Sequence, residues 1–254
     1  MRKSTIVGII TAAVLFVAGI GMCIQGVYMS DFDFKDLDDI VEGRFYKTKT
    51  STVTAEEVKQ LQIDMVSHDV VINYGDVQDI VVETSESYME RIQIENNRGV
   101  LSVKGSSHGF HIGFYGWWGS ESVKITLPRG KQVDIQVDTT SGDITIGAIR
   151  TDELQLDTTS GDIELYGTVG SDLRCNSTSG DIEFDRLDFQ KLDMDTTSGD
   201  IEGSLIGAYA DYRIETDTTS GDSNLQNQPG RGTRSFRADT TSGDIACRFI
   251  SPEA

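Results

Sequence analysis

Proline is almost absent from this sequence, at 3 of 254 residues, and cysteine and histidine are as scarce at 3 each. So little proline excludes a proline-rich stalk, and no Cys-x-x-Cys spacing offers a zinc site. Basic residues are short too: 22 Lys and Arg stand against 41 Asp and Glu, a net charge of −19. An acidic surface repels phosphate backbones, which argues against nucleic acid and against direct adsorption to anionic headgroups. Solvation is its plain role; cations, basic proteins and neutral glycans remain as partners. No long amphipathic helix follows the N-terminal segment. No nucleophile elbow or phosphate loop is present, and no catalytic residue is assigned.

What is there begins with one apolar run. Thr5 to Ile24 is uncharged and follows Arg2 and Lys3, while Asp31, Asp33 and Asp36 come after it. As a helix it would span about 30 Å, the thickness of a bilayer core. The positive flank stays cytoplasmic, so the rest of the chain is exported. A cleaved signal peptide has a shorter apolar region, and Ala18-Gly19-Ile20 is a poor cleavage site. Met22 before Cys23 is likewise a poor lipoprotein signal. The reading is a single-pass cell-membrane anchor over 1–27, a juxtamembrane tether over 28–58 and an extracytoplasmic β-repeat domain over 59–254. Thr54-Ala55-Glu56-Glu57 has a capping-box pattern with room for one brief helix.

From Leu61 onward short period-two runs alternate with Gly, Asn, Asp and Ser. The strongest signal is a repeat, regular from 131: Asp138–Ile144, Asp157–Ile163, Asn176–Ile182, Asp195–Ile201, Asp217–Ser223 and Asp239–Ile245. Its turn glycines are Gly142, Gly161, Gly180, Gly199, Gly221 and Gly243, spaced 19, 19, 19, 22 and 22 residues apart. Met65–Val70 reads as a degenerate earlier copy. Two apolar positions flank each turn on either side with polar residues between, so each unit is strand, tight turn, strand.

One such unit cannot bury its own apolar stripe; stacked neighbours can. The predicted fold is all-β, a single-domain parallel β-solenoid with 19–22-residue coils, preceded by one transmembrane helix. An antiparallel meander of hairpins is the alternative, but hairpin tips need not match one another. In the solenoid, Thr columns are expected along the outer corner, Gly at a positive φ, and each following Asp bonded to local backbone N–H groups. Stacked in chain order, Cys175 and Cys247 lie three coils apart, about 14 Å, beyond disulfide reach. Two free, buried thiols are predicted.

Leu127-Pro128-Arg129-Gly130 followed by repeated Thr-Thr-Ser-Gly-Asp-Ile resembles a bacterial family known as "putative adhesin" or β-strand repeat domain, over about Leu61 to Phe249. Its LiaG-like members share the plan of one anchor and an exported repeat domain. The resemblance implies a β-solenoid on the outer face of a bacterial, Gram-positive membrane, with a link to envelope stress in some members. It supplies no catalytic residues and is nearly silent on mechanism.

Three candidate sites follow. Asp143, Asp162, Asp181, Asp200, Asp222 and Asp244 form one stacked acidic column, and Asp138, Asp157, Asp195, Asp217 and Asp239 with Asn176 another. Stacked carboxylates repel, so either turn N–H groups or a bridging Ca²⁺ must offset the charge. The reading takes the N–H groups and assigns no cofactor. The segment His108–Gly119 holds both Trp, and Phe114, Tyr115, Trp117 and Trp118 form an aromatic binding candidate for an envelope protein or glycan. Its alternative is a cover over one end of the solenoid. His108 and His111 alone make no metal site. A catalytic carboxylate pair of a glycan-processing β-helix should stand out from the repeat, and none does. The functional expectation is a non-catalytic, adhesin-like interaction module, an accessory to cell-envelope stress, with a structural or cation-dependent scaffold as the alternative.

Overall fold

The computed structural model describes residues 46–87, 90–107, 122–230 and 232–251. The apolar anchor and the candidates Phe114, Tyr115, Trp117 and Trp118 lie outside the described residues. These form an all-β solenoid with only two single-turn 3-10 helices, at Ala55–Glu57 and Tyr209–Asp211.

Strands are numbered in chain order. The face that leads into each turn carries, from one end of the stack to the other, β5 (Glu90–Asn97), β6 (Val100–Ser107), β2 (Gln60–Asp64), β8 (Asp134–Asp138), β10 (Glu153–Asp157), β12 (Val169–Ser177), the second half of β13 (Ile182–Thr196), β16 (Arg234–Ser242) and β15 (Tyr212–Ser220). The face that leads out carries β1 (Tyr46–Val53), β4 (Ile80–Ser87), β7 (Ser122–Pro128), β3 (Asp69–Gly75), β9 (Ile144–Gly147), β11 (Ile163–Tyr166), the first half of β13, β14 (Ile201–Ile206) and β17 (Ile245–Ile250). Pairing is parallel except for β5–β6, β4–β7 and β1–β4. The N-terminal end is thus closed by antiparallel strands, a feature the repeat does not announce. Residues 46–53, expected within the tether, are instead β1, paired along its whole length with β4.

The stack does not follow chain order. The β6–β7 coil lies outside the earlier β2–β3 coil, and β16–β17 inserts between the β13–β14 coil and β15. Side chains explain the second exchange. The fifth repeat carries Thr216 and Ser223 where other units carry apolar residues, so an interior place would bury hydroxyls in the core. At the stack end they bond each other at 3.1 Å. Outward charges agree. Down the exposed face run Arg174, Asp193, Arg237 and Glu215, alternating in sign. Asp193 is ion-paired at 3.8 Å to Arg174 and 3.6 Å to Arg237. Chain order would set Asp193 beside Glu215, and Lys191 beside Arg213 in the next column, where Ser235 now separates them.

The expected apolar columns fill the interior. Leu61, Ile135, Leu154, Leu173, Leu192, Phe236 and Ile214 stack on one wall and Val70, Ile144, Ile163, Ile182, Ile201 and Ile245 face them, all buried. Each such side chain contributes about 1.5–3 kcal/mol through burial. Gly203 permits close approach: a methyl there would stand 2.0 Å from the Phe184 carbonyl oxygen and 2.5 Å from its ring, which packs 6.1 Å from Phe236. Cys175 and Cys247 are free and buried as expected. Their separation is corrected to two coils, because the sixth repeat stacks directly on the fourth.

Candidate functional site

The repeated turns converge on one corner of the solenoid. Their glycines have a reason other than the expected one: none of the six has positive φ. Instead, each Cα faces the carbonyl of the turn below. A Cβ would stand 1.9 Å from the His68 oxygen at Gly142, and between 1.8 and 2.2 Å from the preceding glycine's oxygen at the other five. Close approach of backbone, not backbone twist, requires glycine here. The carbonyl contacts give the order His68, Gly142, Gly161, Gly180, Gly199, Gly243, Gly221, the same exchange seen in the strands.

The first Thr of each unit also departs from expectation. Thr139, Thr158, Thr196 and Thr240, with Ser177 in the third unit, are buried at 6–8% exposure, Thr218 of the fifth unit is half-buried, and the second Thr lies outside. The inner hydroxyls close the turn. Gly142 and Gly161 N–H donate to Thr139 and Thr158 Oγ1 at 3.2 and 3.1 Å. Thr196 and Thr240 Oγ1 donate across to the Gly180 and Gly199 carbonyls at 3.1 and 3.0 Å.

Aspartates form the outer rail. The Asp143 N–H donates to Asp69 Oδ1 at 3.1 Å, and Asp162, Asp181, Asp200, Asp244 and Asp222 each donate to the carboxylate one coil below at 2.7–2.9 Å. A bond from an amide to a carboxylate contributes about 1.5–3 kcal/mol, enough to offset neighbouring like charges in solvent. Asp69, the first rung, sits in the degenerate copy at Met65–Val70, which is a true coil with His68 in the glycine place. Among the described residues no group of three or more His, Cys, Asp or Glu is placed to hold a metal ion.

The second acidic column runs Asp64, Asp138, Asp157, Asn176, Asp195, Asp239, Asp217 along the strand ends. It is only partly solvated. Burial, then the charge of Asp157, pushes the Asp138 carboxyl above its ordinary range. Burial likewise raises Asp195, although Arg237 pulls against it. Amides and a guanidinium relieve the rest: Gln136 and Gln155 donate to Asp138 and Asp157, Asn176 donates to Asp157 at 2.6 Å, and Arg237 pairs with Asp239. A shallow groove of about 310 Å³ crosses the same face between Glu153, Asp172, Arg174 and Lys191.

Two asparagines escaped the sequence reading. Asn224 and Asn227 close the C-terminal edges with their side-chain amides, each matching one residue's backbone donor and acceptor, Cys247 and Thr216 respectively. Their only signal was the loss of period two after Ser223.

This architecture of stacked turns agrees with a family model that matches residues 58–252. The chain belongs to the Toastrack DUF4097 family. One solved structure shares the fold of this chain. A "putative cell adhesion protein" from Clostridium sporogenes ATCC 15579 is 13% identical, with a TM-score of 0.52 over 81% of this chain and 100% of that one. A "putative adhesin" from Bacteroides fragilis NCTC 9343 is 13% identical, with a TM-score of 0.45 over 80% and 97%. A comparison with curated proteins gives no match. Within the Toastrack domain the acidic columns are built into the hydrogen bonding of the turns and strand ends.

Proposed function

We propose that this chain is a non-catalytic, adhesin-like interaction module held at the outer face of a cell membrane by residues 5–24. The carrying observation is the uniformity of the ladder. Its carboxylates repeat alike in successive coils and are engaged by the next turn's N–H, so none is set apart for chemistry. The naming of the clostridial neighbour as a "putative cell adhesion protein" fits the same reading.

The contact surface is assigned to Phe114, Tyr115, Trp117 and Trp118. In the sequence they fall between Ser107, the last residue of β6, and Ser122, the first of β7. The chain enters β1 at Tyr46, paired with Ser87. Tyr46, which follows the tether in sequence, and Ser122, which follows the aromatic segment, thus begin their strands at one corner of the stack. This favours an envelope component near the membrane over a neighbouring cell. The test is photo-crosslinking of the full chain in intact cells, with a Trp117→Ala, Trp118→Ala variant beside it. A discrete adduct that the variant loses, at unchanged melting temperature, is expected. No discrete adduct, or the same adduct from both chains, overturns the reading. Protease added outside the cells should remove the repeat domain; full protection overturns the export.

A further inference from the structure

Among the described residues each face of the solenoid has two terminal strands, and three of the four ends are guarded. At β15, the Gln228 N–H donates to the Ile214 carbonyl at 2.9 Å and the Asn227 amide holds Thr216. At β17, Asn224 holds Cys247 in the same way. On β1, Lys49 stands opposite buried Thr84 and alternates with Ser51 and Val53, which oppose the buried Val82 and Ile80. A lysine on the core side of an edge strand discourages a further strand. The fourth terminal strand, β5, differs. It pairs with β6 over eight residues without a bulge and has no proline and no core-side charge at its centre. Ile92 is buried and Ile94 partly so, while Arg91, Gln93 and Glu95 are exposed on the other face.

The order of these five residues is self-complementary. In an antiparallel pair, opposite residues share a face. Centring two copies on Gln93 puts Arg91 opposite Glu95, Ile92 opposite Ile94, and Gln93 opposite itself. Opposite charges meet outside and apolar side chains meet inside, both twice, as a two-fold axis demands. β1 offers no such register. We propose that β5 is a dimerisation edge, along which two copies of this chain join antiparallel over residues 90–96 about a two-fold axis through Gln93. The two lead-in faces then form one continuous sheet.

The experiment uses the full chain in mild detergent with Cys23→Ser, since Cys175 and Cys247 are buried. Gln93→Cys treated with a short bismaleimide is expected to give a covalent dimer. Thr52→Cys on β1, also exposed, is expected to stay monomeric. Arg91→Glu and Glu95→Arg should each lose the dimer by sedimentation and recover it when mixed, because only the mixed pair restores opposite charges. The mixing arm guards against misfolding, since an unfolded variant cannot be rescued by a partner. Equal crosslinking at both positions, a monomer at Gln93→Cys, an adduct with a different protein, or no recovery on mixing overturns the proposal.

Discussion

Replacing Gly180 by alanine puts a methyl carbon 1.8 Å from the Gly161 carbonyl oxygen. Carbon and oxygen cannot approach closer than about 3 Å, so the two coils must part by more than 1 Å at that corner. Nothing flexible can yield, because the obstacle is backbone. Parting stretches the Ser179 N–H bond to the Thr159 carbonyl, now 3.0 Å, and the Asp181 N–H bond to Asp162, now 2.8 Å. Those bonds are worth about 1 and about 1.5–3 kcal/mol, and residual overpacking adds about 1–3 kcal/mol. The expected loss is about 3.5–7 kcal/mol, read as a lower urea midpoint by circular dichroism. Gly230→Ala, with nothing within 4 Å and no positive φ, should change stability by less than about 0.5 kcal/mol. Gly180→Asn separates the two explanations of the repeated turn glycine. Asparagine tolerates a left-handed backbone, so it would be mild if φ mattered and as harmful as alanine if close approach matters. A Gly180→Ala chain as stable as Gly230→Ala would refute the account of the ladder.

Charge order should be measurable: Arg237→Glu sets three acids in a row, Asp193, the new carboxylate and Glu215, and should lower stability by about 1 kcal/mol, reduced in high salt. Arg237→Gln should fall between it and the parent; identical midpoints for all three would remove electrostatics from the strand exchange. The raised carboxyls of Asp138 and Asp195 bind protons more readily folded than unfolded. Their stabilising contribution is therefore complete below the ordinary value of 3.8 and is lost as pH rises through the folded values. Asp138→Asn should flatten that part of the stability profile, and an unchanged slope contradicts the assignment. Burial raises both thiols, Cys247 to about 12, so neither should react with a thiol reagent at neutral pH until denaturant is added. Protection that persists in denaturant without reductant would show a disulfide instead.

The 19-residue spacing, the period-two flanks and the shared Ser-Gly-Asp turn already specified stacked coils with apolar rows inside. Local chemistry is enough for that, since strand alternation and tight turns depend on near neighbours. Stack order depended on contacts far apart in the chain. Thr216 and Ser223 had to sit at an end, and Asp193 had to meet Arg237 across 44 residues, yet the period alone suggested chain order. The glycines show the same division: their presence was visible, but the carbonyl facing each Cα belongs to another coil. So too for Asn224 and Asn227, whose amides became strand caps only once β17 and β15 were the last in line. The repeat pattern is enough for the coil; which coil lies on which follows from contacts between coils, because burial and charge pairing act through space and not along the chain.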